Sequence, residues 1–324
     1  MTPTVSICMP NYNFARYLPE AIESALRQSY TDFEFIIIDN CSTDNSVDII
    51  KYYAERDSRI RFSVNDRNIG PVNNMNLCLQ QAQGEYVKFL FSDDLFVTDN
   101  ALQWMVTILA EHDVISLVAS ARHVIDDQSN IIKTWSEYKG EIGYAGTKII
   151  QDCLIEQKNK IGEPSVVLFR KKYAARGFDI RYKQAVDLEM WLHLLEQGDF
   201  AYISEPLCAF RQHLQQQTKV NIDDINFGTV EEPFLLLQNY AGKPYIKLPW
   251  LIREYMQYVP VFAIWKLYKK EKITRQGAIK KVREHYSWPK FIFYYPLFRF
   301  YKFIGRMKEV VFVAAASFFS IVRH

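Results

Sequence analysis

The sequence reads as an α/β protein. It has a mostly parallel central sheet with helices on both faces, followed by a helical, basic and aromatic C-terminal region. Three observations predict this. Apolar runs of strand length alternate with helix-period segments through the first 112 residues. Two of the runs drive straight into carboxylates, FEFIIIDN at Asp39 and VKFLFSDD at Asp93 and Asp94. Finally, residues 243–324 hold 17 Lys/Arg and 4 Asp/Glu, a balance of +13, whereas residues 1–242 carry −11.

The elements follow in order. Val5 to Met9 is a short β-type run before Pro10. Residues 15–29 place Leu18, Ile22, Ala25 and Leu26 on one helical face. Phe33 to Ile38 is a second strand, and 45–56 a second helix with Val47, Ile50 and Tyr53 in phase. Ile60 to Val64 is the third strand. Gly70-Pro71 opens a helix to Gln83, because proline is comfortable at the first helical position. Tyr86 to Phe91 is the fourth strand, and 99–112 a helix. Two or three shorter strands are predicted within 114–135, a helix over 147–157, a strand or buried segment over 165–172, a helix over 187–197 and a strand from Phe200 to Ile203. The pattern beyond residue 220 is helical. The predicted division is 1–220 (with halves 1–112 and 113–220) and 221–324.

Composition narrows the function. The chain has 324 residues, 49% hydrophobic and 23% charged, which suits a globular protein. Its five cysteines are odd in number and form no C-x-x-C pair, so reduced thiols in a cytosolic compartment are expected, without a zinc site or disulfide framework. MTPTVSICMPNYN lacks the pattern of a signal peptide. No apolar run reaches the roughly 18 residues of a transmembrane helix. No G-x-G-x-x-G follows the first strand, which disfavours a dinucleotide oxidoreductase.

In sheets of this kind, ligands bind beyond the carboxyl ends of the strands. Asp39 and the Asp93/Asp94 pair would then line one crevice with Pro10, Asn11 and Tyr12. Each has a structural alternative. Asp44 or Ser42 suits a helix N-cap, and Ser92-Asp93-Asp94 suits a cap followed by first-turn acids. Adjacent carboxylates at a strand tip also suit Mg²⁺ or Mn²⁺, which prefer oxygen ligands and bridge carboxylates to phosphates.

The ordered series PNYN, DNCSTD, N-I-G (68–70) and GEYVKFLFSDD (84–94) resembles the family 2 glycosyltransferases, over roughly residues 3–215. The resemblance implies the GT-A fold and transfer of a sugar from a nucleotide-sugar, UDP first among the nucleotides, to an acceptor hydroxyl with inversion. It implies that Pro10, Asn11 and Tyr12 border the nucleoside, that Asp39 contacts the base, and that Asp44 holds its loop. Asn68 and Gly70 would shape the nucleotide pocket. Asp93 and Asp94 would contact the ribose and a divalent metal, Mn²⁺ or Mg²⁺. KQAVDLEMWLHLLEQG resembles the family's catalytic helix, with Asp187 as the base; a helix N-cap is its structural alternative. EPLCAFRQH resembles the segment closing over the donor, with Arg211 in packing or phosphate contact and His213 on the diphosphate or metal. Gly162 to Ser165 resembles the stretch before the acceptor-side strand. The chain departs from the family pattern at Phe91, where relatives carry Asp, at Met75, where they carry Arg, and at Val186, where they carry Glu.

Aromatic residues interleave with Lys290, Arg299, Lys302, Arg306 and Lys308, ahead of an apolar run from Val310 to Val322. That pattern suits an interfacial helix on an anionic membrane; packing on the protein is its structural alternative. Nucleic acid is not an expected partner. The reading is an enzyme peripheral to the cytoplasmic face of the cell membrane, extending a lipid-linked glycan for surface polysaccharide or lipopolysaccharide. The alternatives are transfer to polyprenyl phosphate and a nucleotide- or sugar-binding pseudoenzyme without turnover.

Overall fold

The computed structural model describes residues 2–140, 142–213, 216, 228–269 and 273–305. The predicted interfacial run from Val310 to Val322, with Arg306 and Lys308, lies outside the described residues. The chain divides into two compact units, Met1–Glu232 and Pro233–His324.

The first unit is built on one sheet of ten strands. Its N-terminal half comprises β1 (Val5–Asn11), β2 (Phe33–Asp39), β3 (Ile60–Val64) and β4 (Tyr86–Phe89), ordered β3-β2-β1-β4 and parallel throughout. β2 is buried at every position. Its mostly apolar run, broken by Glu34 and then continuous from Phe35 to Ile38, is what a strand covered on both faces requires. The helices α1 (Leu18–Leu26), α2 (Ser46–Ala54), α3 (Pro71–Gln81) and α4 (Ala101–Glu111) make the crossovers.

β1 runs two residues beyond the predicted Met9, through Pro10. β4 pairs with β1 only up to Cys8, and past that point β1 has a partner only in β2. Proline is tolerated where one side of a strand needs no ladder. The split between the β1–β2 and β1–β4 pairings is the point where strand order reverses. A crevice opens there between the two strand tips.

The remaining strands add antiparallel pairs. They are β5 (Leu95–Phe96), β6 (Ile115–Ile125), β7 (Ile131–Trp135), β8 (Ile142–Tyr144), β9 (Val167–Arg170) and β10 (Asp199–Arg211). β9 inserts antiparallel between β4 and β6, and β10 lies parallel to β6. β10 is far longer than the predicted Phe200–Ile203. Its register shifts on either side of Pro206, and this bulge lets one strand continue through the proline. The continuation carries Arg211 to the acidic strand tip. α5 (Gly146–Glu156) and α6 (Val186–Leu195) complete the packing. Trp191 of α6 is fully buried beside Phe169 and Phe178, with ring centroids 5.7 and 6.4 Å away.

The second unit is helical: α7 (Gly228–Tyr240, which begins in the first unit), α8 (Trp250–Lys269), α9 (Arg275–His285) and α10 (Trp288–Gly305). Phe291 of α10 packs on Tyr258 and Trp265 of α8, at 5.8 and 5.7 Å between centroids. On α10, Ile292, Phe293 and Leu297 are exposed. Among the described residues no helix is long and apolar enough to cross a membrane.

Candidate active site

A cavity of about 560 Å³ lies at the switch point of the sheet. Its wall combines the tip of β1 and the residues after it (Pro10 to Phe14), the tip after β4 (Phe91 to Asp94), Asn68 and the start of α3, Glu163-Pro164, and the entry to α6 from Lys183 to Asp187. Of the predicted site residues, Pro10, Asn11, Tyr12, Asn68, Asp93, Asp94 and Asp187 line it. Asp39, Asp44, Gly70, Arg211 and His213 are not among the described lining residues, and each has an identifiable place behind the wall.

Asp39 is fully buried at the tip of β2. Its Oδ2 accepts from Asn11 Nδ2 at 2.7 Å and Ser42 Oγ at 2.6 Å, and its Oδ1 from Ser42 N at 2.8 Å. An ionised carboxylate only accepts, so it fixes which end of the Asn11 amide faces it. The opposite end, Asn11 Oδ1, is buried at the cavity without a hydrogen-bond partner among the described residues. Asp44 ties the loop to the chain after β1: its Oδ2 accepts from Ala15 N at 2.9 Å and its Oδ1 from Ser46 N at 3.0 Å. Asn68 Oδ1 accepts from Asn40 Nδ2 and Gly70 N, at 2.9 and 2.8 Å. Gly70 holds φ +85°, a left-handed backbone that favours glycine, and turns the chain into α3.

The acidic tip is held from several sides. Phe91 N donates to Ser165 Oγ at 3.0 Å, and the fully buried Lys88 donates to the Ser165 carbonyl. Burial pulls the Lys88 ammonium below its ordinary pKa. Arg211 N donates to Asp94 Oδ1 at 3.0 Å and its Nε to the Asp93 carbonyl at 2.8 Å. The same guanidinium reaches Glu20 at 2.6 Å and lies over the Tyr17 ring, 4.8 Å from its centroid. Arg211 therefore braces the tip from behind, which is the packing side of its predicted role. His213 Nε2 is 3.0 Å from Asp93 Oδ2 and packs between Phe14 and Tyr17.

Among the described residues, Asp94 Oδ2 is left buried with no hydrogen-bond partner. Burial pushes the Asp94 carboxyl well above the usual carboxylate range, and the adjacent Asp93 charge pushes it further. An orphaned carboxylate oxygen at a cavity wall, beside a second carboxylate, fits a hard divalent cation. Among the described residues no group of three or more His, Cys, Asp or Glu is arranged to hold a metal. A cation here would rest on the Asp93/Asp94 pair, with its other positions open to water or a bound ligand. Mg²⁺ and its relatives accept that arrangement.

Asp187 lies in the first turn of α6. Its Oδ2 accepts from Asn159 Nδ2 at 3.0 Å and its Oδ1 from Leu188 N at 2.7 Å. Burial raises its pKa to about 7; the Leu188 N–H opposes that, the Glu163 charge adds to it, and Asn159 opposes it. Glu163 is itself held by Arg122, whose Nε is 2.6 Å from Glu163 Oε2. The Gly162 carbonyl accepts from Trp191 Nε1 and from Asn159 Nδ2, both at 2.9 Å. Sequence reasoning singled out neither Asn159 nor Arg122, because their partners are 28 and 41 residues away.

A family model described as Glycosyl transferase family 2 matches residues 6–178. The putative teichuronic acid biosynthesis glycosyltransferase TuaG of Bacillus subtilis is 31% identical over 64% of this chain and 79% of its own. The UDP-Glc:alpha-D-GlcNAc-diphosphoundecaprenol beta-1,3-glucosyltransferase WfgD of Escherichia coli is 26% identical over 76% of this chain and 90% of its own. The chain spans 46% and 33% of the first two curated relatives it matches, uncharacterized glycosyltransferases of Haemophilus influenzae and Rickettsia bellii. Among solved structures, Staphylococcus aureus TarS 1–349 in complex with UDP-GlcNAc superposes with a TM-score of 0.61, at 17% identity over 82% of this chain and 73% of that one. The mannosyltransferase PcManGT of Pyrobaculum calidifontis, in complex with GDP-Man and Mn²⁺, gives 0.56 at 18% identity over 89% and 77%.

The raised Asp187 pKa has a consequence for stability. Between the unfolded carboxyl's value near 3.8 and the folded value of about 7, the folded chain holds a proton that the unfolded chain has lost. The contribution is therefore whole below the lower value and is lost as pH rises to the upper one. Asp187→Asn is expected to melt higher than the parent at pH 8 and to lose that advantage at pH 4, read by calorimetry. A substitution that lowers Tm equally at both values would contradict the assignment.

Proposed function

We propose that this chain, which belongs to glycosyl transferase family 2 and has the GT-A fold, transfers a sugar from a nucleoside-diphosphate sugar to an acceptor hydroxyl with inversion at the anomeric carbon. One observation carries the reading: three differently prepared oxygens converge on a single cavity. Among the described residues, Asn11 Oδ1 is a fixed acceptor without a donor, Asp94 Oδ2 a buried carboxylate oxygen without a partner, and Asp187 a carboxylate with a pKa of about 7.

Asn11 Oδ1 receives an N–H or O–H of the nucleoside, beside Pro10, Tyr12 and Asn68. Asp39 acts through Asn11, and Asp44 and Gly70 hold the loops on either side. Asp93 and Asp94 hold a divalent cation, Mn²⁺ or Mg²⁺, which when bound supplies counter-charge to the leaving diphosphate. The Mn²⁺ and GDP-Man named with PcManGT support that reading. Arg211 and His213 keep the two carboxylates in place from behind. In the transfer, the acceptor oxygen forms its bond to the anomeric carbon as the bond to the diphosphate breaks. The acceptor's proton passes to Asp187, whose pKa near the working pH suits a general base.

UDP-sugars are the first donors to test, since UDP-GlcNAc and UDP-Glc appear with TarS and WfgD. WfgD's name supports a lipid-linked glycan acceptor, and TuaG's supports surface-polysaccharide synthesis. The C-terminal charge of +13 and the exposed Ile292, Phe293 and Leu297 of α10 support a peripheral seat on an anionic membrane at the cytoplasmic face.

Asp187→Asn is expected to lower kcat by roughly two to four orders of magnitude while leaving nucleotide affinity within about threefold, because other elements build the nucleotide wall. The parent's kcat/KM should rise with pH through an acid limb near 7. Turnover in Asp187→Asn within a few-fold of the parent would sink the assignment. For the membrane seat, the chain should sediment with phosphatidylglycerol vesicles and not with neutral phosphatidylcholine vesicles; equal partition between the two would sink it.

A further inference from the structure

The segment Lys183–Ala185 leads into α6 and contributes Lys183 and Gln184 to the cavity, just ahead of Asp187. Among the described residues lining that cavity, Lys183 alone is a lysine or arginine, while Asp93, Asp94, Glu163 and Asp187 line it with carboxylates. α6 has no side-chain cap from its own N-cap residue, Ala185.

The three N–H groups just before the helix, those of Lys183, Gln184 and Ala185, share one carboxylate far along the chain. Glu232 Oε1 accepts from Lys183 N at 2.7 Å and Gln184 N at 3.1 Å, and Oε2 accepts from Gln184 N at 3.0 Å and Ala185 N at 2.6 Å. Glu232 is 4% exposed. Three successive backbone N–H groups at the head of a helix form a concave anion site. Here the chain fills that site with its own side chain, from 47 to 49 residues downstream.

We propose that Glu232 is a positioning residue for the transfer, fixing the segment from which Lys183, Gln184 and Asp187 enter the cavity. The proposal rests on the transferase reading above. A carboxylate holding several N–H groups makes charge-assisted bonds stronger than neutral ones. Glutamine keeps the shape but offers one acceptor oxygen and turns an NH₂ towards donors. A loosened segment moves Lys183 and Asp187 together, and sub-ångström to ångström displacement of catalytic groups costs rate out of proportion to stability. The nucleotide wall comes from β1, the tip after β4 and the start of α3, so nucleotide binding does not depend on this anchor.

The test uses the full chain with Glu232→Gln and Glu232→Asp. Three quantities are read: amide hydrogen exchange over 183–185, affinity and stoichiometry for UDP or GDP with Mn²⁺, and kcat with whichever of UDP-glucose, UDP-GlcNAc or GDP-mannose the parent consumes. In Glu232→Gln, exchange over 183–185 should speed up and kcat should fall about tenfold or more, with nucleotide affinity within about twofold and one site per chain retained. Glu232→Asp, which keeps the charge, should recover part of the rate. Parental exchange and kcat in Glu232→Gln would overturn the proposal. So would a loss of kcat matched by an equal loss of nucleotide sites, since that marks fewer folded chains rather than a displaced segment. A parent that binds nucleotide but consumes no sugar nucleotide removes the transferase reading, and the proposal falls with it.

Discussion

The bonds from Asn11 and Ser42 to the buried Asp39 carboxylate set one wall of the switch-point cavity. A carboxylate at 0% exposure is costly unless its oxygens are occupied, and three donors occupy them here. The same bonds join the tips of β1 and β2 and shape the loop that feeds α2. They also decide the orientation of one amide: Asn11 gives its NH₂ to Asp39 and keeps its oxygen for the cavity. A buried strand running into an aspartate thus serves an adjacent residue. The charge is hidden, and its effect appears one side chain away.

The acidic tip after β4 follows the opposite logic. Its backbone is pinned by Ser165 and Arg211, and Asp93 meets His213, yet Asp94 keeps one oxygen without a partner among the described residues. The wall then holds Asp93, Asp94, Glu163 and Asp187 with Lys183 as the described cation. An excess of carboxylates around a cavity is unfavourable while it is empty of positive charge. It becomes complementary when a divalent cation and a diphosphate arrive together. The raised pKa of Asp187 belongs to the same field, since burial and the Glu163 charge both favour its proton.

The parallel half of the sheet was legible because its strands are short, mostly apolar runs and its helices keep a clear period. The strand tips, and with them Asn11, Asn68, Asp93, Asp94 and Asp187, followed from that order and the family resemblance. Legibility failed where structure depends on partners distant in the chain. Arg211 finds Glu20 at a separation of 191 residues, and no local pattern reveals such a bond. β10 runs well past the predicted Phe200–Ile203, because a bulge around Pro206 lets the strand continue. β5 and β8, of two and three residues, carry too little pattern to be seen. All three positions that depart from the family, Met75, Phe91 and Val186, line the cavity itself, so the departures fall where they can alter what is bound.

Whether the switch-point cavity is a metal-assisted nucleoside-diphosphate site is read by a thermal-shift panel. The chain and its Asp94→Asn variant are melted with UDP, GDP, CMP and dTDP, each with Mn²⁺, Mg²⁺ or EDTA. A ligand that binds only the folded state raises its apparent stability. One nucleoside diphosphate should raise Tm of the parent with a divalent cation, and EDTA or Asp94→Asn should remove most of the shift. No shift with any nucleotide under any metal condition, or an equal shift in EDTA and in Asp94→Asn, would contradict that assignment.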